Sequence, residues 1–331
     1  MKTKASLILT VVMMALSGSA IAEVKIALVA KSLGNGFFEA ANTGAQEAAK
    51  ELGDVKVIYT GPTTTTAEAQ IEVLNGLIAQ GVDAIAISAN DPDAVVPVLK
   101  KAMQRGIKVV SWDSGVAKAG RQIHLNPSNN ALIGETNVKL AADALKALNV
   151  EKGDVAILSA TPTSTNQNIW IAEMKKVLPK YPSVNLVTVA YGDDLSDKSY
   201  REAVGLLKSY PDLKVIVSPS SVGIVAAAQA VKDQGKIGKV YVTGLGLPSE
   251  MAGAIKSGAS KSFAIWNPID LGYSAAQIAY RLVKGEADGK AGSEIEAGRM
   301  GKIKVGENNE AAMADPFVYN SSNIDQFSKI F

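Results

Sequence analysis

The chain has 331 residues, with 34 Lys and Arg, 32 Asp and Glu, one His and no Cys. That length suits two domains of ordinary size, and 47% hydrophobic against 20% charged residues is the composition of a folded chain rather than a disordered one. The missing Cys excludes disulfides, thiolate catalysis and Cys-built metal sites, while the balanced charge, with no basic run, gives no footprint for nucleic acid or a polybasic membrane anchor.

Residues 1–22 open with Lys2 and Lys4, continue through an apolar stretch at 5–16 and end on Ala20-Ile21-Ala22. The apolar stretch is short of the roughly 20 residues that span a bilayer. The pattern reads as an export signal cleaved after Ala22. Its removal leaves 32 basic against 32 acidic side chains and places the protein in the periplasm of a Gram-negative cell. ATP- and NAD-dependent chemistry is disfavoured there, and no cofactor is expected.

Short β-branched runs then alternate with helical patterns, the signature of parallel βαβ units. Strands are expected at 24–30, 55–59, 84–88 and 108–112, with helices at 37–52, 66–80 and 93–105 between them. Four more strands are expected at 155–160, 184–189, 215–218 and 239–243. The second set repeats the first at a nearly constant offset. VKIALVA at Val24 aligns with DVAILSA at Asp154, DVKVIYT at Asp54 with VNLVTVA at Val184, DAIAIS at Asp83 with KVIVSP at Lys214, and IKVVSW at Ile107 with KVYVTG at Lys239.

The fold predicted from this repeat is α/β: two similar lobes, each a parallel sheet flanked by helices, joined by a hinge that the chain crosses more than once. A helix at 274–284 has no lobe of its own to complete and is expected to pack back on the first. The expected division is 23–125 with 268–292 in the first lobe, and 126–267 with 293–331 in the second.

Parallel sheets place ligands beyond the carboxyl ends of their strands, so function is read from the residues there. Lys31 to Phe38 follow the first strand; this stretch is no phosphate loop, and at least one of Phe37 and Phe38 is expected at the cleft. After the third strand, Asp93 is expected to cap a helix, leaving Asn90 or Asp91 for ligand. Trp112-Asp113 pairs a flat apolar face with an acceptor of two hydrogen bonds, the strongest local constellation. In the second half, Asn166 and Gln167 follow the first strand and Pro219 to Ser221 the third. Trp266 and Asn267 lie on a crossing. Aromatic faces beside short side chains that donate and accept describe a site for a sugar.

The enzyme readings are poor. His124 is the single candidate base, no G-x-S-x-G elbow is present, and His124 reads as a structural residue on a crossing strand. No spaced acidic loop suggests a metal. No catalytic residue is expected; a periplasmic sugar-processing enzyme is the alternative from another class.

Long contiguous segments, among them KSLGNGFFEAANTGAQEAAKELG, QGVDAIAISANDPDA, KKAMQRGIKVVSWDS, SATPTSTNQNIW and LKSYPDLKVIVSPSS, resemble the periplasmic sugar-binding proteins of ABC transporters with the type I, ribose-binding-like fold. The resemblance runs over essentially the whole chain after the export signal. It is nearest the branch holding rhamnose-binding and autoinducer-2-binding proteins. In the autoinducer-2 binders the contacts are a Lys, an Asp, an Asp-Gln pair, a Pro and an Ala. Lys31, Asp113, Gln167 and Pro219 match; Asn166 stands in place of the Asp and Ser221 in place of the Ala. TGLGLPSEMAGAIKSGA and FAIWNPIDLGYSA resemble the rhamnose binders more closely, so the resemblance implies L-rhamnose, with autoinducer-2 as the alternative. It adds Phe38, Asn90, Asp91, Trp266 and Asn267 to the site. It also implies capture by hinge closure, delivery to an ABC permease in the inner membrane, and a monomer.

Overall fold

The computed structural model describes residues 23–331. The export signal expected at 1–22 lies outside the described residues. In chain order the first half comprises β1 (Val24–Val29), α1 (Gly36–Leu52), β2 (Val55–Thr60), α2 (Ala67–Gln80), β3 (Ala84–Ile87), α3 (Val96–Gln104), β4 (Lys108–Trp112) and β5 (Ile123–Asn126). The second comprises α4 (Asn130–Ala147), β6 (Gly153–Ser159), α5 (Thr165–Val177), β7 (Val184–Tyr191), α6 (Ser196–Ser209), β8 (Leu213–Ser218), α7 (Ser221–Asp233), β9 (Tyr241–Gly244) and α8 (Pro248–Ser257). The remainder is β10 (Ser262–Ile265), α9 (Pro268–Lys284), β11 (Glu294–Glu296), β12 (Lys302–Lys304), β13 (Glu310–Ala312), β14 (Phe317–Asn320) and α10 (Ile324–Phe327).

The first sheet runs β13-β5-β4-β3-β1-β2 and the second β7-β6-β8-β9. Both follow one rule, with the first strand of the lobe between its second and third, as the internal repeat requires. Each sheet is buried on both faces. On β1, Ile26 and Leu28 pack with Ala41 and Ala45 of α1, while Ala27 and Val29 pack with Leu74 and Ile78 of α2 and Leu99 of α3. On β6, Val155 and Ile157 face Leu145 and Ile171, whereas Ala156 and Leu158 face the side of Leu206 and Ile224. Burying a side chain of this size contributes about 1.5–3 kcal/mol, so continuous apolar strands are held by helices on both sides.

The helix after the second crossing, α9, packs on α1, and glycine explains how. A Cβ on Gly44 of α1 would lie 1.7 Å from the Ile269 carbonyl oxygen, and one on Gly272 of α9 would lie 1.8 Å from that of Ala41. The two backbones therefore meet where neither carries a side chain. Both helices are delimited alike. Asn35 and Asn267 accept the amides of Phe37 and Ile269 at the N-termini, and Gly53 and Gly285 take left-handed conformations at the C-termini.

One expected boundary moves. Residues 293–331 were expected wholly in the second lobe, but β13 pairs in parallel with β5, so it belongs to the first sheet. Buried Arg121 fastens it there, donating to the carbonyls of Asn308 and Asn309 and to Glu310. The last crossing thus falls between β13 and β14. Beyond it, β14 pairs antiparallel with β10 on the second lobe. Among the described residues no helix is long and apolar enough to cross a membrane.

Candidate functional site in the cleft between the lobes

The carboxyl ends of the two sheets face each other across a cavity lined from both lobes. From the first lobe, Lys31 and Asn35 reach it after β1, Phe37 and Phe38 from the first turn of α1, and Asp113 from the end of β4. The Asn35 cap fixes that first turn, and so seats both Phe rings at the cleft. Phe38 meets Trp112 edge-on at 5.7 Å and Phe37 meets Trp266 at 6.2 Å. Trp112 itself is fully buried behind Phe38 and does not line the cavity.

Asp113 sits at φ 56°, a region that non-glycine residues seldom enter. That turn aims its carboxylate back across the strand ends, where it accepts Ser88 Oγ at 2.8 Å and Asn166 Nδ2 at 2.9 Å. Burial pushes its carboxyl above the ordinary range; Lys31 opposes this most, the Ser88 and Asn166 hydrogen bonds also oppose it, and the charge of Asp194 adds to it.

The second lobe answers with Asn166, Gln167 and Trp170 of α5, Pro219 and Ser221 at the start of α7, and Asp194 after β7. Asn166 joins the lobes. Its Oδ1 accepts Lys31 Nζ at 3.2 Å while its Nδ2 donates to Asp113. Lys31 also donates to Ser164 Oγ at 2.8 Å. Gln167 is braced by Ser159 Oγ and the Ala160 amide, both at 2.8 Å, and donates to the Pro219 carbonyl at 3.3 Å. Outside the cavity Thr163 donates to the Asn90 carbonyl, Thr165 to that of Gly115 and Thr65 to that of Asp193. With all these bonds made, the lobes stand in a closed arrangement.

Three expected site residues do other work. Asn90 is buried but braces the loop, its side chain donating to the Lys31 carbonyl at 2.9 Å and its backbone amide donating to Gln70 Oε1 at 2.9 Å. Asp91, not Asp93, caps the turn before α3 by accepting the amides of Asp93 and Ala94. Asn267 caps α9 and donates to Asp270. Lys31, Phe38, Asp113, Asn166, Gln167, Pro219, Ser221 and Trp266 come together in the lining. Asp194, Leu245 and Ile265 join them without having been singled out. A signal for Asp194 exists in Gly192-Asp193-Asp194, which follows a strand that runs on to Tyr191.

The chemistry of this lining is binding chemistry. Phe38, Phe37, Trp266 and Trp170 form a connected aromatic cluster, and Lys31, Asn166 and Asp113 a hydrogen-bonded polar one. His124 lies apart on β5, against Ser111 Oγ at 2.9 Å and Asn126 Oδ1 at 3.1 Å. Burial, helped by Arg121, pushes it down to about 3, so its imidazole is neutral. Ser111 is fully buried and outside the cavity lining, so this Ser–His pair has no access to substrate. Gly244 answers a structural need as well: a Cβ there would lie 2.0 Å from the Ser218 carbonyl oxygen.

The family profile of the periplasmic binding protein domain matches residues 26–287. A D-ribose/D-allose-binding protein of Pseudomonas aeruginosa is 31% identical over 66% of this chain and 70% of its own. An ABC transporter solute-binding protein from Clostridium phytofermentas, solved with bound L-rhamnose, is 37% identical with a TM-score of 0.87, covering 93% of this chain and 99% of its own. LsrB from Clostridium saccharobutylicum, in complex with AI-2, is 26% identical, also with a TM-score of 0.87, over 92% of this chain and 99% of its own. With its two-lobed parallel fold and its cleft, the chain belongs to the periplasmic binding protein family, among the sugar solute-binding proteins of ABC transporters.

Proposed function

We propose that the cleft captures L-rhamnose and that closure of the lobes presents the loaded protein to an ABC import permease. The observation that carries this is the presence of two clusters in the cavity lining, one aromatic and one hydrogen-bonding. Phe37, Phe38, Trp170 and Trp266 offer aromatic surface, with Leu245 and Ile265 beside them. Lys31, Asp113, Asn166 and Gln167 offer donors and acceptors in the same lining. A 6-deoxy sugar has the same division, hydroxyls on the ring and a methyl at one end. The buried Nε1 of Trp266 has no protein hydrogen-bond partner, and a sugar oxygen would supply one. The rhamnose-bound relative at 37% identity supports the choice.

The exchange of carboxylate for carboxamide at Asn166 argues against autoinducer-2. Asn166 donates to Asp113 at 2.9 Å; an ionised Asp there would be acceptor-only and would repel it. The AI-2-bound relative keeps that ligand in the test panel. Family membership also supports a binding role over an enzymatic one.

Tryptophan fluorescence titration of ligand-stripped protein, with calorimetry beside it, tests the reading against L-rhamnose, L-mannose, D-ribose and autoinducer-2. Saturable binding of L-rhamnose is expected. L-mannose, which adds a hydroxyl to the methyl, should bind about 10- to 100-fold more weakly, the range over which an apolar pocket rejects an added hydroxyl. Preference for autoinducer-2 overturns the ligand assignment; turnover of the sugar overturns the binding role. Export with cleavage after Ala22 completes the proposal. Intact mass of the periplasmic protein checks it, and a retained Met1 contradicts it.

A further inference from the structure

Lys31, Asp113 and Asp194 are the charged side chains in the cavity lining, two carboxylates against one ammonium. Lys31 is already engaged with Ser164 and Asn166. The adjacent acid Asp193 pairs with Lys198 at 2.5 Å. Asp194 is held differently. It accepts Ser220 Oγ at 2.5 Å, and the same oxygen accepts the Gly223 amide at 2.9 Å in the first turn of α7. Asp193 and Asp194 both adopt left-handed backbone conformations, φ 56° and 53°. A β-branched or bulky side chain resists that conformation, whereas Asp and Asn tolerate it. Fold and hydrogen bonds together fix the Asp194 carboxylate at the cavity wall of the second lobe, opposite Asp113.

We infer that Asp194 sets the charge selectivity of the cleft: it leaves the cavity with an uncompensated negative charge that admits neutral sugars and excludes sugar acids and sugar phosphates. The inference rests on the sugar-binding reading of the same cleft and goes beyond it in naming the excluded class. A ligand carboxylate or phosphate entering between the lobes would meet the carboxyl groups of buried Asp113 and partly buried Asp194, and like charges repel more strongly in such surroundings than at a fully exposed surface. Discrimination of this kind is built from a repulsive element rather than an additional attraction. The negative charge of Asp194 acts on Asp113 across the cleft, pushing its carboxyl upward alongside burial and against the stronger opposing influence of Lys31.

The test compares the wild-type protein with Asp194→Asn, which retains an acceptor for Ser220 and tolerates the same backbone conformation. L-Rhamnose and L-rhamnonate are titrated calorimetrically, with L-rhamnitol as an open-chain neutral control for shape. The wild type should bind rhamnonate at least about tenfold more weakly than rhamnitol, and Asp194→Asn should close most of that gap. In parallel, carboxyl NMR follows the titration of Asp113 in ligand-free protein. The titrating or charged groups facing Asp113 are Lys31 and Asp194, and the variant should lower its midpoint. An unchanged midpoint, or a variant that weakens all three ligands by one factor, overturns the inference. A lowered midpoint in a protein that binds no sugar supports the field of Asp194 and overturns the sugar reading instead, so the two failures are distinguishable.

Discussion

In the first lobe the cleft residues that follow strands carry formal charge, Lys31 after β1 and Asp113 after β4, with two Phe rings beside them. The second lobe contributes Asn166, Gln167 and Ser221, uncharged groups that donate and accept; Leu245 stands where the repeat places Asp113, and the one carboxylate is Asp194. The lobes repeat one another in strand order but not at their tips. The packing differs too. The first lobe gains α9, locked on α1 through Gly44 and Gly272, and a six-stranded sheet; the second has a four-stranded sheet with the β10–β14 pair beside it. Duplication accounts for the scaffold, and divergence at the strand ends makes one lobe the charged jaw and the other the adaptable one.

Breaking the charged jaw should have the largest effect. Asp113→Ala removes acceptors for Ser88 and Asn166 and a charge-assisted contact to ligand, and is expected to weaken sugar binding at least about 100-fold. Because Asp113 serves the cleft, circular dichroism melting should show a loss of only a few degrees. A variant that binds normally, or one that fails to fold, contradicts the assignment.

Converting the adaptable jaw into a charged one comes next. Asn166→Asp places a carboxylate against Asp113 and should weaken binding by roughly 10- to 50-fold near neutral pH. The sign of its pH dependence follows. At low pH a protonated carboxyl regains a donor for its neighbour, so affinity in the variant should rise as pH falls through the carboxylate range and drop as pH increases. Calorimetry from acid to neutral pH checks this; a flat profile means the Asn166–Asp113 bond does not couple the lobes.

The packing difference predicts a stability effect without a binding effect. Gly272→Ala forces a Cβ into the Ala41 carbonyl and should destabilise the first lobe by about 2–4 kcal/mol, the scale of severe overpacking. Denaturant unfolding should register this while the sugar affinity of the folded fraction is retained. The smallest effect is expected at the wall. Trp266→Phe keeps an edge-on aromatic neighbour for Phe37 but removes the indole donor, and should cost about five- to tenfold in affinity. An unchanged affinity would show that the buried Nε1 does not meet the sugar.

The scaffold was legible because parallel strands buried on both faces read as apolar runs, and because the repeat gave each run a second witness. Lys31, Asp113 and Pro219 were reachable for the same reason: they are the first polar or rigid residues beyond those runs, whereas Gln167 lies further along, one of the carboxamides that open a helix. Asn90 and Asp91 occupy such places too, yet the loop used them, one to brace Lys31 and one to cap a turn; sequence position does not distinguish a donor for ligand from a donor for backbone. Asp194 was hidden because β7 continues to Tyr191, beyond the expected end of its strand. β13 is only three residues long and holds its place in the first sheet through Arg121 and pairing with β5, long-range partners that no local pattern announces.

The central claim is that charged and adaptable jaws close on a neutral deoxy sugar, and calorimetric titration of ligand-stripped protein with L-rhamnose tests it most directly. The account predicts saturable one-to-one binding, accompanied by a change in tryptophan fluorescence from Trp170 and Trp266 at the cavity wall. Absence of heat and of any optical change with L-rhamnose, alongside saturable binding of a different ligand, would contradict it.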